Sequence, residues 1–354
     1  MIIVHIAPFA PNACGLYEAA RDMSRADILG ENNVYFIDAG VSRNGIRENG
    51  IIGQVDERGD FRLETSDPLF INEADIIIMH TGCNDNWIVK TQAPILWAVH
   101  GRPLACFRPE RISSNNFNSF TLYHDISKWK RVKGMLYFWP EFKSYWENVL
   151  SSKDIVLDYP VIDEKRFFIK NVNVLENKGE INILLCDSER EDICNYEVVN
   201  GLIQACKRFK NIKVHICGMD LLEGGKIPNC WGIVLDKLKQ LGGLGNVYGR
   251  LTNMLDVYNS VDCVISPNRI ITRTIGEALT CGVPVISEVN ETNLVSDYTC
   301  NMSNPKDIIQ ALEWFIDDFK NNKIDREAIR KRAEVFSLKN YSDKMNKIYK
   351  KVLS

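Results

Sequence analysis

Twice along this chain, short apolar runs alternate with helical patterns, and few folds accommodate that alternation. In the first half Ile2–Ile6 reads as a strand, Pro8–Gly15 as a loop, Tyr17–Leu29 as a helix and Asn33–Ile37 as the next strand. Ala74–Met79 and Ile95–Val99 are further strands, each running into a polar or glycine-containing turn. The theme restarts at Ile181–Cys186 and continues through the Tyr196–Phe209 helix, the Lys213–Cys217 strand, the Asp236–Leu241 helix and the short Asn246–Tyr248 strand. It ends with the Met254–Ser260 helix, the Asp262–Ser266 strand, the Thr274–Cys281 helix and the Val283–Ser287 strand. Strands alternating with helices imply parallel sheets covered on both faces. A length of 354 residues fits two such domains of about 150–200 residues each. The polar stretch Asn171–Lys178 is the expected linker, giving an α/β chain of two Rossmann-like domains, 1–170 and 171–336. Residues 337–354 hold a basic amphipathic helix, Leu338–Leu353, that can return to the first domain.

Open α/β sheets bind ligands beyond the carboxyl ends of their strands. Two such domains facing each other put both sets of strand ends on one central cleft. The strand-end residues Gly15, His80, His100, Arg190, Gly218, Arg269, Arg273 and Glu277 are therefore the first to consider. The net charge of −3 carries no global signature for nucleic acid or membrane. No apolar run reaches the roughly 18 residues of a membrane-crossing helix. Met1–Phe9 lacks a basic flank and a small-residue cleavage site, so it reads as a buried first strand rather than a signal peptide. Eleven cysteines without a C-x-x-C pair fit buried free thiols in a reducing cytoplasm better than a disulfide or zinc framework.

The segment Ser266–Ser287 reads as strand, loop, helix, turn and strand. The first-turn N–H groups of such a helix have no partner within it, and its end carries partial positive charge, so it attracts a phosphate. Arg269 and Arg273 add guanidinium forks suited to a diphosphate. Thr274 lies in the first helical turn, and Glu277, one turn further on, can accept hydrogen bonds from a ribose diol. Gly282 is placed to end the helix in a left-handed conformation, and Pro284 stops its continuation. No Asp-x-Asp motif stands in a suitable loop, so a leaving diphosphate is expected to rely on the helix end and the arginines rather than on a metal.

This segment resembles the donor-binding motif of GT-B glycosyltransferases, most closely the retaining enzymes of glycosyltransferase family 4. Glu277-Ala-Leu-Thr-Cys-Gly-Val-Pro-Val285 matches the second half of the family's Glu-x7-Glu motif. Asn246–Arg250, Met254–Leu255, Tyr258, Asp262–Ser266 and the interdomain segment Asp158–Phe167 resemble flanking blocks. The resemblance implies a GT-B fold, and it implies that Glu277 binds the nucleotide ribose. It also places Gly15 against the donor phosphates, His100 near the transferred sugar, and Thr272 where the family has a loop glycine; Gly218 joins the donor-site candidates by its strand-end position. Arg190 becomes the cation after the first strand of the second domain. Arg269 stands eight residues before Glu277, where the family carries the Glu that holds sugar hydroxyls, so retention and inversion both stay open.

The expected activity is transfer of a sugar from a nucleotide-diphosphate sugar to a hydroxyl acceptor, with no further cofactor and no integral membrane contact. Between His100 and Lys133, seven cations (Arg102, Arg108, Arg111, Lys128, Lys130, Arg131 and Lys133) face only Glu110 and Asp125, with aromatic residues interleaved. His100, Arg102, Lys128, Lys130 and Arg131 are the acceptor-side candidates. Their acceptor is a glycan or lipid-linked glycan, or a hydroxylated base in DNA. A sugar-nucleotide 2-epimerase and an inactive sugar-nucleotide-binding protein are the rival functions. His5 and His215, inside strand runs, read as satisfied core histidines, and His80 reads as structural. Gly242-Gly-Leu-Gly245 precedes no long helix and reads as a turn, not a dinucleotide loop.

Overall fold

A computed structural model describes residues 1–7, 15–38, 41–42, 45–46, 52–55, 61–65, 73–80, 92–100, 132–150, 154–175, 180–186, 195–218, 229–249, 251, 253–289 and 295–354. The chain forms two units, Met1–Asp163 with Phe336–Ser354, and Glu164–Val335.

The first unit is built on an eight-stranded sheet ordered β10-β9-β8-β7-β1-β2-β5-β6. Its parallel part comprises β1 (Ile2–Ala7), β2 (Asn33–Asp38), β7 (Ile76–Met79), β8 (Ile95–Val99), β9 (Val132–Tyr137) and β10 (Asp154–Leu157). An antiparallel extension that the apolar pattern does not announce, β5 (Ile52–Val55) and β6 (Phe61–Thr65), continues the sheet beyond β2. A two-stranded ribbon, β3 (Val41–Ser42) and β4 (Gly45–Ile46), precedes it.

Period-two alternation divides the buried side chains of this sheet between its faces. Val4, Ile6, Ile77, Met79, Ile95, Trp97 and Val99 cluster with Trp146 of α2 (Lys143–Leu150). Ile3, Ile76, Ile78, Leu96 and Ala98 cluster with Met23 and Ala26 of α1 (Gly15–Leu29). That second cluster also takes in Leu338, Tyr341, Met345 and Tyr349 of the C-terminal helix Leu338–Leu353. Each fully buried Ile or Leu contributes about 1.5–3 kcal/mol, so this helix is an integral layer of the unit. Its polar side is tied down as well, since Asp158 accepts from the Tyr341 hydroxyl at 3.0 Å and pairs with Lys344.

The second unit holds a parallel six-stranded sheet ordered β13-β12-β11-β14-β15-β16. Its strands are β11 (Ile181–Leu185), β12 (Ile212–Ile216), β13 (Leu244–Val247), β14 (Cys263–Ile265), β15 (Val285–Glu288) and β16 (Tyr298–Cys300). In chain order this is 3-2-1-4-5-6, the doubly wound arrangement whose direction reverses between β11 and β14. The helices of this unit are α3 (Asn195–Arg208), α4 (Asn229–Gln240), α5 (Leu255–Tyr258), α6 (Arg273–Thr280), α7 (Pro305–Lys320) and α8 (Arg326–Arg332), and the C-terminal helix is α9.

The division between the units falls before residue 170, and the chain from Phe167 to Leu175 is anchored to the second unit. Lys170 donates its N–H to Asn259 Oδ1 at 2.8 Å and its ammonium to Asp256 at 2.7 Å. Val174 N–H reaches Ser260 Oγ at 2.9 Å, and Phe167 and Leu175 are buried. Backbone N–H groups of Lys170 and Val174, rather than polar side chains of the stretch, hold it to Asn259 and Ser260.

Among the described cysteines, Cys186, Cys206, Cys217, Cys263, Cys281 and Cys300 are buried free thiols. Burial pushes Cys281 up to about 12, with Glu277 nearby adding to the effect. No helix among the described residues is long and apolar enough to cross a membrane. Of the segment 242–245, only Gly242 and Gly243 turn the chain after α4, Gly242 with φ 71° and both donating back to Lys239 and Leu238, whereas Leu244 and Gly245 already open β13. Gly245 is required for another reason, because a Cβ there would lie 2.6 Å from the His215 ring.

Candidate functional site

The reversal between β11 and β14 creates a crevice at the carboxyl ends of these strands, where a doubly wound sheet takes its ligand. The loop Ser266–Thr272 leaves β14 at this point and leads into α6. Thr272, the residue before the helix, has extended φ −101°, ψ 169°, yet its side chain does not cap the helix. Its Oγ1 is buried and makes no hydrogen bond among the described residues. The first rung of the helical ladder runs from Gly276 N–H to Thr272 O at 3.2 Å. The N–H groups of Arg273, Thr274 and Ile275 precede that rung and point out of the helix end. At the other end, Gly282 adopts φ 69° and Gly282 and Val283 donate to Leu279 and Ala278 at 2.9 and 3.0 Å. This is the left-handed helix stop expected from the sequence. A Cβ at Gly282 would also lie 2.7 Å from Arg326 O, so no other residue fits.

Glu277 is buried, with 9% of its surface exposed. Its Oε1 accepts from Arg273 at 2.9 Å and its Oε2 from the Tyr258 hydroxyl at 3.1 Å. These two bonds orient the Glu277 carboxylate. Arg273, expected on a diphosphate, is thus at the same time the ion-pair partner of Glu277, one helical turn away. Tyr258 is a site residue that motif reading did not assign. Its signal was a lone tyrosine in α5, which the fold brings against a carboxylate 19 residues later.

Arg269 is exposed and donates to Ser303 Oγ at 3.2 Å. It stands near Glu288, whose carboxyl burial raises while the Met302 N–H and Arg269 oppose the rise. Arg269 and Arg273 therefore engage different partners. Gly218 follows β12 with φ 91° and donates to Gly249 O at 3.3 Å. Thr274 is half-buried in the first turn of α6. Gly15, in the other unit, opens α1, and among the described residues a Cβ there would meet nothing within 4 Å. Neither packing nor a left-handed backbone demands a glycine at that position. Arg190, Arg102, Lys128, Lys130 and Arg131 lie outside the described residues. No group of three or more His, Cys, Asp or Glu side chains among the described residues is arranged to hold a metal ion. A surface cavity lined in part by Asp262, Gly282, Pro284 and Arg326 sits at the opposite, amino ends of the strands, away from Thr272.

In the first unit the structure joins three histidines that the sequence separates. His5 lies inside β1, His80 directly after β7 and His100 directly after β8. His5 Nδ1 lies 2.9 Å from His80 Nε2, and His80 Nδ1 lies 3.0 Å from His100 Nε2. The rings stack in sequence at 5.2 and 5.3 Å, and His100 stacks on Phe138 at 4.6 Å. At the inner end, His5 Nε2 meets Asp27 Oδ2 at 2.8 Å, and Asp27 Oδ1 accepts from the Tyr349 hydroxyl at 2.7 Å. His5, Asp27 and His80 are buried, whereas His100 is half-buried. Burial, with His5 and His100 on either side, holds His80 well below the usual imidazole range. His215, in the second unit, has a closed environment. Its Nδ1 accepts from Asn246 N–H at 2.9 Å and its Nε2 meets Asn182 Oδ1 at 3.1 Å.

No family profile and no curated protein matches the chain in sequence. Solved structures match it over its whole length. A glycosyltransferase from Rickettsia africae superposes with a TM-score of 0.65 at 16% identity, covering 100% of this chain and 98% of that one. A sucrose-phosphate synthase from Thermosynechococcus elongatus gives 0.66 at 12% identity, covering 99% of each chain. HepE from Anabaena, solved with UDP and glucose, gives 0.66 at 11% identity, covering 99% of this chain and 100% of that one. These likenesses show the fold, which is GT-B with two Rossmann-like α/β units.

Proposed function

We propose that this chain is a glycosyltransferase that moves a sugar from a nucleotide-diphosphate sugar to a hydroxyl acceptor, with retention and without a metal. The observation that carries the reading is Glu277, held by Arg273 and Tyr258 one turn inside α6 at the switch point of a GT-B fold. In this reading Glu277 takes the ribose. The amino end of α6, with Thr272, Thr274 and Gly218, receives the diphosphate, and Gly15 is the candidate of the first unit for the donor phosphates. Bond cleavage to the sugar leaves negative charge on the diphosphate. Fixed N–H dipoles and the cations Arg190, Arg269 and Arg273 stabilise that charge where it develops. His100 orients the sugar or the acceptor. Arg102, Lys128, Lys130 and Arg131 hold the acceptor, a glycan or lipid-linked glycan. The buried free thiols fit action in a reducing cytoplasm.

HepE was solved with UDP and glucose, so UDP and UDP-sugars are the first ligands to titrate. Calorimetry should detect binding that Glu277→Ala weakens by about 1.5–3 kcal/mol, the loss of charge-assisted hydrogen bonds. Unchanged affinity in that variant removes Glu277 from the site. The product separates the rivals. A transferase needs an acceptor and retains the donor's anomeric configuration in the product, whereas an epimerase releases nucleotide and free sugar without one. Turnover that persists in excess chelator supports the metal-independent route.

A further inference from the structure

Beyond the donor site, the molecule carries a buried polar chain whose hydrogen-bond direction can be worked out ring by ring. An ionised Asp27 can only accept. It accepts from the Tyr349 hydroxyl on one oxygen and from His5 Nε2 on the other. His5 Nε2 therefore carries a proton, and when the ring holds only that one, as an ordinary imidazole does near pH 8, its Nδ1 is an acceptor. His80 Nε2 faces that acceptor at 2.9 Å and must donate. The same step repeats between His80 and His100 at 3.0 Å. His80 is held neutral by burial between two other imidazoles, so neither contact is relaxed by a second proton on the middle ring. Direction passes along the chain from a fixed carboxylate to the half-buried ring.

We propose that Asp27, acting through His5 and His80, holds His100 in its Nε2–H tautomer and makes Nδ1 its accepting nitrogen. Asp27, His5 and His80 are then positioning residues for His100. The inference rests on the proposed role of His100 at the sugar or acceptor, because an accepting Nδ1 suits a ring that takes a hydrogen bond from a hydroxyl. It gives function to two histidines that, taken one at a time, look like satisfied core residues. The stack on Phe138 at 4.6 Å fixes the plane of the last ring, and the chain fixes which nitrogen donates.

Ring-nitrogen NMR of the 15N-histidine-labelled full-length protein tests this without any substrate. Near pH 8, where an unperturbed imidazole is neutral, His100 should show a protonated Nε2 and an unprotonated Nδ1. Asp27→Asn, which can present either a donor or an acceptor to His5, should give mixed or reversed tautomers at His100. His80→Phe should uncouple His100 from Asp27. An Nδ1–H tautomer in the unmodified protein overturns the proposal, and this measurement requires no variant to fold. A His100 tautomer unchanged in both folded variants also overturns it. Turnover provides the separate arm. Loss of roughly a hundredfold in His80→Phe, with donor affinity unchanged, supports both the chain and the catalytic reading. The expected NMR result with normal turnover supports the chain and removes His100 from catalysis.

Discussion

Both units bury histidine beneath their sheets, but they close the surrounding hydrogen bonds differently. In the second unit His215 sits between a backbone N–H and the amide oxygen of Asn182, and that amide leads on to Glu180 O and to Asp262 at the amino ends of the strands. In the first unit the polar chain enters at Tyr349 and Asp27, crosses β1 and β7, and reaches a ring at the end of β8 that is only half-buried. The contrast shows that a buried histidine is structural or transmitting according to where its chain leads. The amide of Asn182 carries the His215 chain to Asp262 at the amino ends of the strands, whereas the imidazoles carry the other chain to a half-buried ring at a carboxyl end.

The strongest way to break this comparison is Asp27→Ala. It strands the His5 N–H and the Tyr349 hydroxyl in the interior, at about 1–3 kcal/mol each, for a total of roughly 2–6 kcal/mol. Denaturant unfolding should show the loss, and a change below about 1 kcal/mol would mean that the groups find other partners. His215→Leu is the matched change in the second unit and leaves the Asn246 N–H without its acceptor. Its expected cost is smaller, about 2–3 kcal/mol, and donor affinity should stay unchanged because the network leads to Asp262 at the amino ends of the strands, away from Thr272. Tyr349→Phe removes one bond to a charged group, and a loss of about 1.5 kcal/mol should appear with the histidine stack intact.

Acid should sharpen the same contrast. Burial lowers His215 from its ordinary 6.5 to about 4, with Lys213 adding to the effect. The folded pKa lies below the unfolded one, so the unfolded chain takes up the proton first. The His215 contribution is therefore complete above about pH 6.5 and is lost as pH falls toward about 4. His80 shifts in the same direction. A denaturation midpoint that falls through this window, and falls less in His215→Gln, is the expected result.

Much of the second unit was legible because its strands are continuous apolar runs, as befits a parallel sheet buried on both faces. The α6 segment was legible in detail because Gly282 and Pro284 are backbone signals that act locally. The α7 and α8 helices passed unassigned although their starts are marked: Asn304 caps the Lys306 N–H ahead of Pro305, and Asp325 caps Glu327 and Ala328. The antiparallel β5–β6 pair was missed because its strands are short and β5 carries Gly53, a weak strand former. The histidine chain could not be read from spacing. Its members stand 75 and 20 residues apart, and only the pairing of β1 with β7 and β7 with β8 brings them into register.

The return of α9 to the first unit has a consequence for biosynthesis. Glu164–Val335 is one continuous stretch, so the second unit can close its sheet as soon as residue 335 leaves the ribosome. The first unit cannot finish at the same moment. One face of its sheet lacks Leu338, Tyr341, Met345 and Tyr349 until α9 is made. Until then Asp27 lacks the Tyr349 hydroxyl, and the inner anchor of the histidine chain is incomplete. β1 thus waits for α9, which is made after the whole second unit, and the unit that begins first of the two is completed second.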